Sequence, residues 1–254
     1  EATPTGPEMV ALMQQQAEHF GARLVYEEVT GVDFRGGPPF IVKTHTTTYQ
    51  ADAVVVTAGA SPKHLEVPGE TEFVGRGVSY CGTCDGFFFR GKDVVVVGGG
   101  DSALEESIFL TKFADQVTIV HRRDELRAGP TLQKRALANE KISFIWDTTV
   151  EEIVGNGVVQ KVKLQNLKTG DEREMATDGV FIFIGHYPNS NFLVGQVAMD
   201  EHGYVITDEF MRTSVPGVYA AGEIQDPHYR QIATSVGQGV AAAMQLERWL
   251  AEQE

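Results

Sequence analysis

The chain has 254 residues, of which 42 % are hydrophobic and 22 % charged, and its formal net charge is -14. That composition suits a soluble globular protein with one large core or two smaller ones, and an acidic body repels phosphate backbones, which argues against nucleic acid as a partner. No apolar run approaches the ~20 residues that span a bilayer, the start Glu1-Ala2-Thr3-Pro4 shows no secretory leader, and two cysteines are too few for a secreted disulfide scaffold, so a cytoplasmic protein without a membrane segment is expected.

Thr5-Gly6-Pro7-Glu8 reads as a capping box with an early proline. Met9, Leu12, Met13, Ala17 and Phe20 then follow at helical spacing, and Gly21 stops the helix. Strand-like runs come next at 23–29, 40–45 and 53–56, the last running into Thr57-Ala58-Gly59-Ala60. Prolines at 62 and 68 punctuate the next stretch, and a domain crossing is expected near Ser61 to Leu65. A second section carries a strand at 93–97, a helix over 102–113, a strand at 117–120 and a helix around 132–137. This βαβ pattern implies an α/β fold with a parallel sheet. Strands at 142–146, 150–154, 158–167 and 179–184 follow, with a hairpin turn at Lys168-Thr169-Gly170-Asp171. The third section holds the apolar stretch Gly217 to Gly222 and a long helix over 232–250.

Gly98-Gly99-Gly100-Asp101-Ser102-Ala103 fits G-x-G-x-x-A between a strand and a helix. Gly98 permits the tight turn, Gly100 lets a pyrophosphate approach the backbone, and Ala103 lets helix and strand pack closely. The helix start, with Asp101 and Ser102, offers free N–H groups to phosphates. A merely structural turn is the alternative. The next strand ends at Val120 and continues His121-Arg122-Arg123-Asp124-Glu125-Leu126-Arg127. Arg122 and Arg123, helped by Arg127, are planar, permanently charged donors that suit a 2′-phosphate, so NADPH is favoured over NADH. Asp124 and Glu125 keep open a solvated, charged helix start.

Cys81-Gly82-Thr83-Cys84 has the spacing of a reversible disulfide. Asp85 beside it could shuttle protons. The pair could instead be half of a zinc site, but there is no second C-x-x-C or H-x₃₋₅-H. Two buried core cysteines are also conceivable, although the flanking Gly82, Thr83, Asp85 and Gly86 read as a turn.

CGTCDG, then GGGDSA, then HRRDELRA resembles the low-molecular-weight bacterial thioredoxin reductases, and similar segments extend across nearly the whole chain. They include Thr57 to Pro62, Gly185-His186-Tyr187-Pro188-Asn189, GVYAAGE at Gly217 to Glu223, and Tyr229-Arg230-Gln231. The resemblance implies two Rossmann-like, doubly wound, three-layer dinucleotide-binding domains of the FAD/NAD(P) disulfide reductase type. It also implies FAD, NADPH, a homodimer and a thioredoxin substrate. Residues 1–62 and 186–254 would form the FAD-binding domain, and 63–185 the NADPH-binding domain with the redox disulfide. Cys84 would face the flavin, Cys81 would attack the thioredoxin disulfide, and Asp85 would be the general acid/base. His121 with the arginines would serve the nucleotide; Thr57, Gly59 and Gly222 would serve the flavin, with Glu223 at its ribityl or pyrophosphate region. Arg230 and Gln231 would lie near the flavin ring, and the crossings near Ser61 to Leu65 and Gly185 to Pro188 would be hinges.

Two departures stand out. Glu223 occupies a position where the family usually has Asp. The family's first dinucleotide unit, with its own G-x-G-x-x-G, does not occur before Thr5, which suggests a fragment whose FAD-binding sheet lacks a central strand and leaves apolar faces uncovered. Two other functions compete with the thioredoxin reductase reading: an NADPH-binding module without flavin turnover, and a flavin disulfide reductase with a different electron donor or acceptor.

Overall fold

In the computed structural model, which describes residues 5–253, the capping box forms as the sequence suggests. Glu8 Oε2 accepts from the Thr5 backbone N–H at 2.7 Å and from its hydroxyl at 2.8 Å. Helix α1 then runs Gly6–His19, with none of its residues buried and Val10, Leu12 and Met13 facing outward. The run at 23–28 is not a strand, because nothing pairs with its backbone among the described residues; β1 begins only at Val29 (Val29–Asp33). It pairs antiparallel with β2 (Phe40–Thr44), which pairs with β3 (Thr48–Ala51), and β4 (Val54–Val56) follows.

The chain forms two units, one from the chain up to Gly59 together with everything from Pro188, the other from Ala60–Tyr187. The second unit opens with β5 (Ala60–Pro62) and β6 (Val78–Ser79). The tetrapeptide after Cys81 is not an irregular turn but a short helix, α2 (Gly82–Asp85), too brief to leave a periodic signal. Then come β7 (Asp93–Val97), α3 (Asp101–Leu110), β8 (Gln116–Val120), α4 (Pro130–Leu137) and β9 (Ile142–Ile145). An antiparallel meander follows, β10 (Thr148–Asn156), β11 (Val158–Asn166) and β12 (Glu172–Ala176). The hairpin turn at 168–171 leads into β12, whose mostly exposed polar side chains show no strand pattern. β13 (Gly179–Ile182) follows, and the unit ends within β14 (His186–Pro188), whose last residue belongs to the first unit.

A five-stranded sheet, ordered β6-β13-β7-β8-β9 and parallel throughout, is the frame of this unit. Its strands are apolar on both faces, as a buried parallel sheet requires. Val94 and Val96 pack with Ala103, Leu104, Ile119 and Phe181 on the helix side. Val95 and Val97 pack with Val150, Ile153, Val162 and Leu164 of the meander on the other. Each buried Val, Leu, Ile or Phe among these contributes about 1.5–3 kcal/mol by leaving water. In the first unit, β15 (Val218–Ala220) pairs parallel with β4. One face of this pair joins Phe34, Phe40 and Leu193 in a core. The other receives α5 (Ile232–Ala251) through Ala242, Leu246 and Trp249.

Candidate functional site

The connection from β7 runs to β8 on one side, while β13 lies on the other, so the carboxyl end of β7 is a topological switch point where a crevice opens. Gly98 sits there with φ +153°, and a Cβ on it would lie 2.5 Å from the Phe183 carbonyl oxygen and 2.7 Å from the Ala103 methyl. Only glycine fits, and Ala103, fully buried, is the close helix contact. Gly99 covers the ring of His121, to which a Cβ would come within 2.3 Å. Gly100, the N-cap of α3, is open by contrast, with only Arg127 3.8 Å from a built Cβ.

The loop after β8 folds back over this turn. The amides of Arg127 and Ala128 donate to the Gly99 carbonyl at 2.8 and 3.2 Å, and that of Gly129 donates to Asp101 Oδ1 at 2.7 Å. Asp101 therefore braces the loop, while Ser102 is exposed. His121 is buried; burial above all, and then the guanidinium groups of Arg127, Arg123 and Arg122, hold its imidazole below the usual range against the opposing Glu125 carbonyl. Neutral at pH 7, it spans 3.1 Å from Nε2 to that carbonyl. The crevice has a volume of about 530 Å³, and Gly98, Gly99, His121, Arg122, Arg123 and Arg127 line it. Asp124, which left a solvated helix start open, is turned away in a 2.7 Å ion pair with Lys168, and no helix begins before Pro130. Lys63 and His64 also line the crevice. Sequence reading missed them because no motif links them to a glycine turn more than thirty residues later.

Cys81 and Cys84 are joined in a disulfide, with Cα atoms 5.3 Å apart, so the two sulfurs are not free to act as a pair of thiolate ligands to zinc. Cys81 caps α2, its Sγ accepting the Cys84 N–H at 3.2 Å. Cys84 is exposed and Cys81 half-buried. Asp85 Oδ2 accepts the hydroxyl of Ser79 at 2.6 Å, and the same hydroxyl oxygen accepts the Cys81 amide at 3.1 Å. No motif in the sequence points to Ser79. Nor does any mark Glu106 on α3, whose carboxyl lies against Gly82 so closely that a Cβ there would meet Oε2 at 2.2 Å. Burial pushes the Glu106 carboxyl up, the amides of Thr83 and Gly82 oppose this, and Oε2 makes no hydrogen bond of good geometry. Behind the strand leading to Cys81, the buried Glu70 carboxylate accepts from Tyr80 Oη at 2.8 Å and from the amides of Leu65 and Glu66 at 3.1 and 2.7 Å.

The remaining expected residues belong to the first unit. A groove of about 890 Å³ runs along β4 and is lined by Val54 to Ala58, Thr57 included, with Asn189 and Asn191. Gly59 and Gly222 hold left-handed conformations, φ +69° and +77°. Gly222 and Glu223 form a 3-10 turn after β15 whose Gly222 amide donates to Gln238 Oε1 at 2.9 Å. Arg230, also left-handed at φ +50°, precedes Gln231, the N-cap of α5. Arg230 Nε is buried and makes no hydrogen bond among the described residues. None of Gly222, Glu223, Arg230 and Gln231 lines the groove that Thr57 lines.

Residues 5–239 match the model of the pyridine nucleotide-disulphide oxidoreductase family. The chain is 49 % identical to the thioredoxin reductase of Mycolicibacterium smegmatis and 46 % identical to that of Peptoclostridium litorale, each alignment covering 98 % of this chain and 80 % of the relative. The crystal structure of thioredoxin reductase from Streptococcus pyogenes superposes with a TM-score of 0.91 at 44 % identity, covering 98 % of this chain and 81 % of that one. The structure of thioredoxin reductase from Giardia duodenalis gives the same TM-score at 41 % identity, over 98 % and 82 %.

Proposed function

Because the chain belongs to the pyridine nucleotide-disulphide oxidoreductases and, within them, to the thioredoxin reductases, we propose that it moves electrons from NADPH through FAD and the Cys81–Cys84 disulfide to oxidised thioredoxin. The observation that carries this reading is a closed C-x-x-C disulfide in the same unit as a glycine-turn crevice lined by Arg122, Arg123 and Arg127 and by no carboxylate. Gly98 to Ala103 suit a pyrophosphate, and the arginines suit a 2′-phosphate. Arg230, with a buried Nε in need of an acceptor, suits FAD, which Thr57, Gly59, Gly222, Glu223 and Gln231 would help to hold. These cofactors supply the hydride and two-electron chemistry when bound.

The protein's own part begins once two electrons have opened the Cys81–Cys84 bond. The Cys84 N–H already points at Cys81 Sγ and favours a thiolate there. That thiolate attacks one sulfur of the thioredoxin disulfide and releases the other, leaving a mixed disulfide. Cys84 then attacks Cys81, restoring the original disulfide and freeing thioredoxin as a dithiol. The two protons that thioredoxin gains pass by way of Asp85, which Ser79 holds in place. Residues 1–62 and 186–254 serve as the FAD-binding part and 63–185 as the NADPH-binding part of a cytoplasmic homodimer. Among the described residues no helix is long and apolar enough to cross a membrane.

The test is NADPH oxidation coupled to thioredoxin reduction, followed together with the flavin absorbance. Wild type should be yellow and turn over, and C84S should bind NADPH yet lose about 1000-fold in turnover. Thioredoxin reduction by C84S at the wild-type rate, or a colourless protein without turnover, would refute the relay.

A further inference from the structure

The crevice at the end of β7 has two charged rims, and the 2′-phosphate reading uses only one. Arg122 and Arg123 follow β8. The opposite rim, beyond β13, carries Lys63. Its backbone N–H donates to the Gly185 carbonyl at 2.9 Å, and its Cδ, Cε and Nζ lie 3.6–3.9 Å from where a Cβ on Gly185 would stand. Lys63 lines the same crevice as the arginines. Among the described residues it forms no ion pair, whereas Lys161, Lys163 and Lys168 each have a carboxylate within 3.0 Å. An unpaired ammonium at the mouth of a crevice with no acidic lining is available to an anion.

The rim is also held in place. Glu70 accepts the amides of Leu65 and Glu66, and the Tyr80 hydroxyl lies 2.8 Å from both Glu70 Oε1 and His64 Nδ1. The segment just after Lys63 is thus tied to a buried carboxylate.

Sheet order gives the direction of a bound dinucleotide. With its 2′-phosphate at Arg122 and Arg123 and its pyrophosphate over Gly98 to Ala103, its second half must extend from β8 across β7 toward β13. We propose that Lys63 binds the pyrophosphate on the nicotinamide side of NADPH, as a contact that strengthens binding without discriminating NADPH from NADH. This rests on the NADPH reading of the crevice and adds to it a residue and the part of the ligand that the residue touches.

Calorimetric titration of the full chain with NADP⁺, NAD⁺ and adenosine 2′,5′-bisphosphate, which has no nicotinamide half, tests it. K63A should weaken NADP⁺ and NAD⁺ alike, each by roughly 3- to 10-fold, and leave adenosine 2′,5′-bisphosphate unchanged, while K63R restores both dinucleotides. The double variant R122A/R123A should weaken NADP⁺ and adenosine 2′,5′-bisphosphate far more than NAD⁺. If the arginine variant behaves so and K63A stays within twofold of wild type for NADP⁺, the Lys63 assignment is wrong and the crevice reading stands. Equal weakening of all three ligands by K63A would also overturn it, by placing Lys63 at the adenosine end. If wild type binds none of the three, the crevice reading falls and the Lys63 assignment with it.

Discussion

A side chain at position 99 would have to share space with His121, whereas one at position 100 would not. The two glycines therefore make separable predictions. G99A overpacks a buried contact and should cost about 1–3 kcal/mol of stability, read as a lower melting temperature. G100A should melt like wild type yet bind NADP⁺ more weakly, because its methyl occupies the approach to the backbone; calorimetry and thermal melting of the two variants check this. Unchanged NADP⁺ affinity in G100A would show that no phosphate comes near this turn. At this scale much of the site was legible. The Cys81/Cys84 spacing, the glycine turn and the arginine pair each declare their chemistry within a few residues. Asp124 was ambiguous because its partner, Lys168, lies 44 residues further on. Lys63, Ser79 and Glu106 carry no local signature, and only their neighbours in space distinguish them from ordinary surface residues.

Among the elements, the connection from β5 to β6 owes its shape to one carboxylate. Burial pushes the Glu70 carboxyl up, but hydrogen bonds from Tyr80, Leu65, Glu66 and His64 outweigh it and hold the group below its ordinary value. The unfolded chain therefore takes up a proton at a higher pH than the folded one. The stabilisation is complete above the ordinary carboxylate range and disappears as pH falls through the folded value. E70Q should cost about 1–3 kcal/mol near neutral pH. The gap in melting temperature between wild type and E70Q should narrow on acidification below about pH 5. A gap that stays constant down to about pH 3 would show that the charge of Glu70 is not what matters. Strongly apolar or long elements were legible: β7, β8, α3 and α5 came out within a few residues of expectation, the two strands because they are short apolar runs and the two helices because their apolar residues recur at helical spacing. Arg23 to Glu28 misled because β-branched and aromatic character describes a strand only when a neighbour supplies hydrogen bonds. Helix α2 and strand β12 were missed for the converse reasons, one being too short and the other too polar to show a period.

For the whole molecule, the segment Ala60–Tyr187 is continuous in sequence and carries its own parallel sheet with a core on each face. Expressed alone, it should unfold cooperatively and retain NADP⁺ affinity within about threefold of the full chain, since every crevice residue lies inside it. Denaturation followed by circular dichroism, with calorimetry on the same sample, tests this; a non-cooperative transition would show that the unit depends on the rest of the chain. The other unit draws on residues far apart in the chain, with β4 and β15 pairing across more than 160 positions. No local pattern announces such a pairing, because apolar runs of three residues match many partners. What the sequence by itself determined was the chemistry: a dithiol spacing, a nucleotide turn and the charge beside it, because these depend on residue types at short, fixed separations. Tertiary structure alone decided which distant groups complete that chemistry, namely Ser79 on Asp85, Glu106 under Gly82, and Lys63 across the crevice from the arginines. Those encounters arise from strand order and packing, which bring together residues whose separation along the chain says nothing of their separation in space.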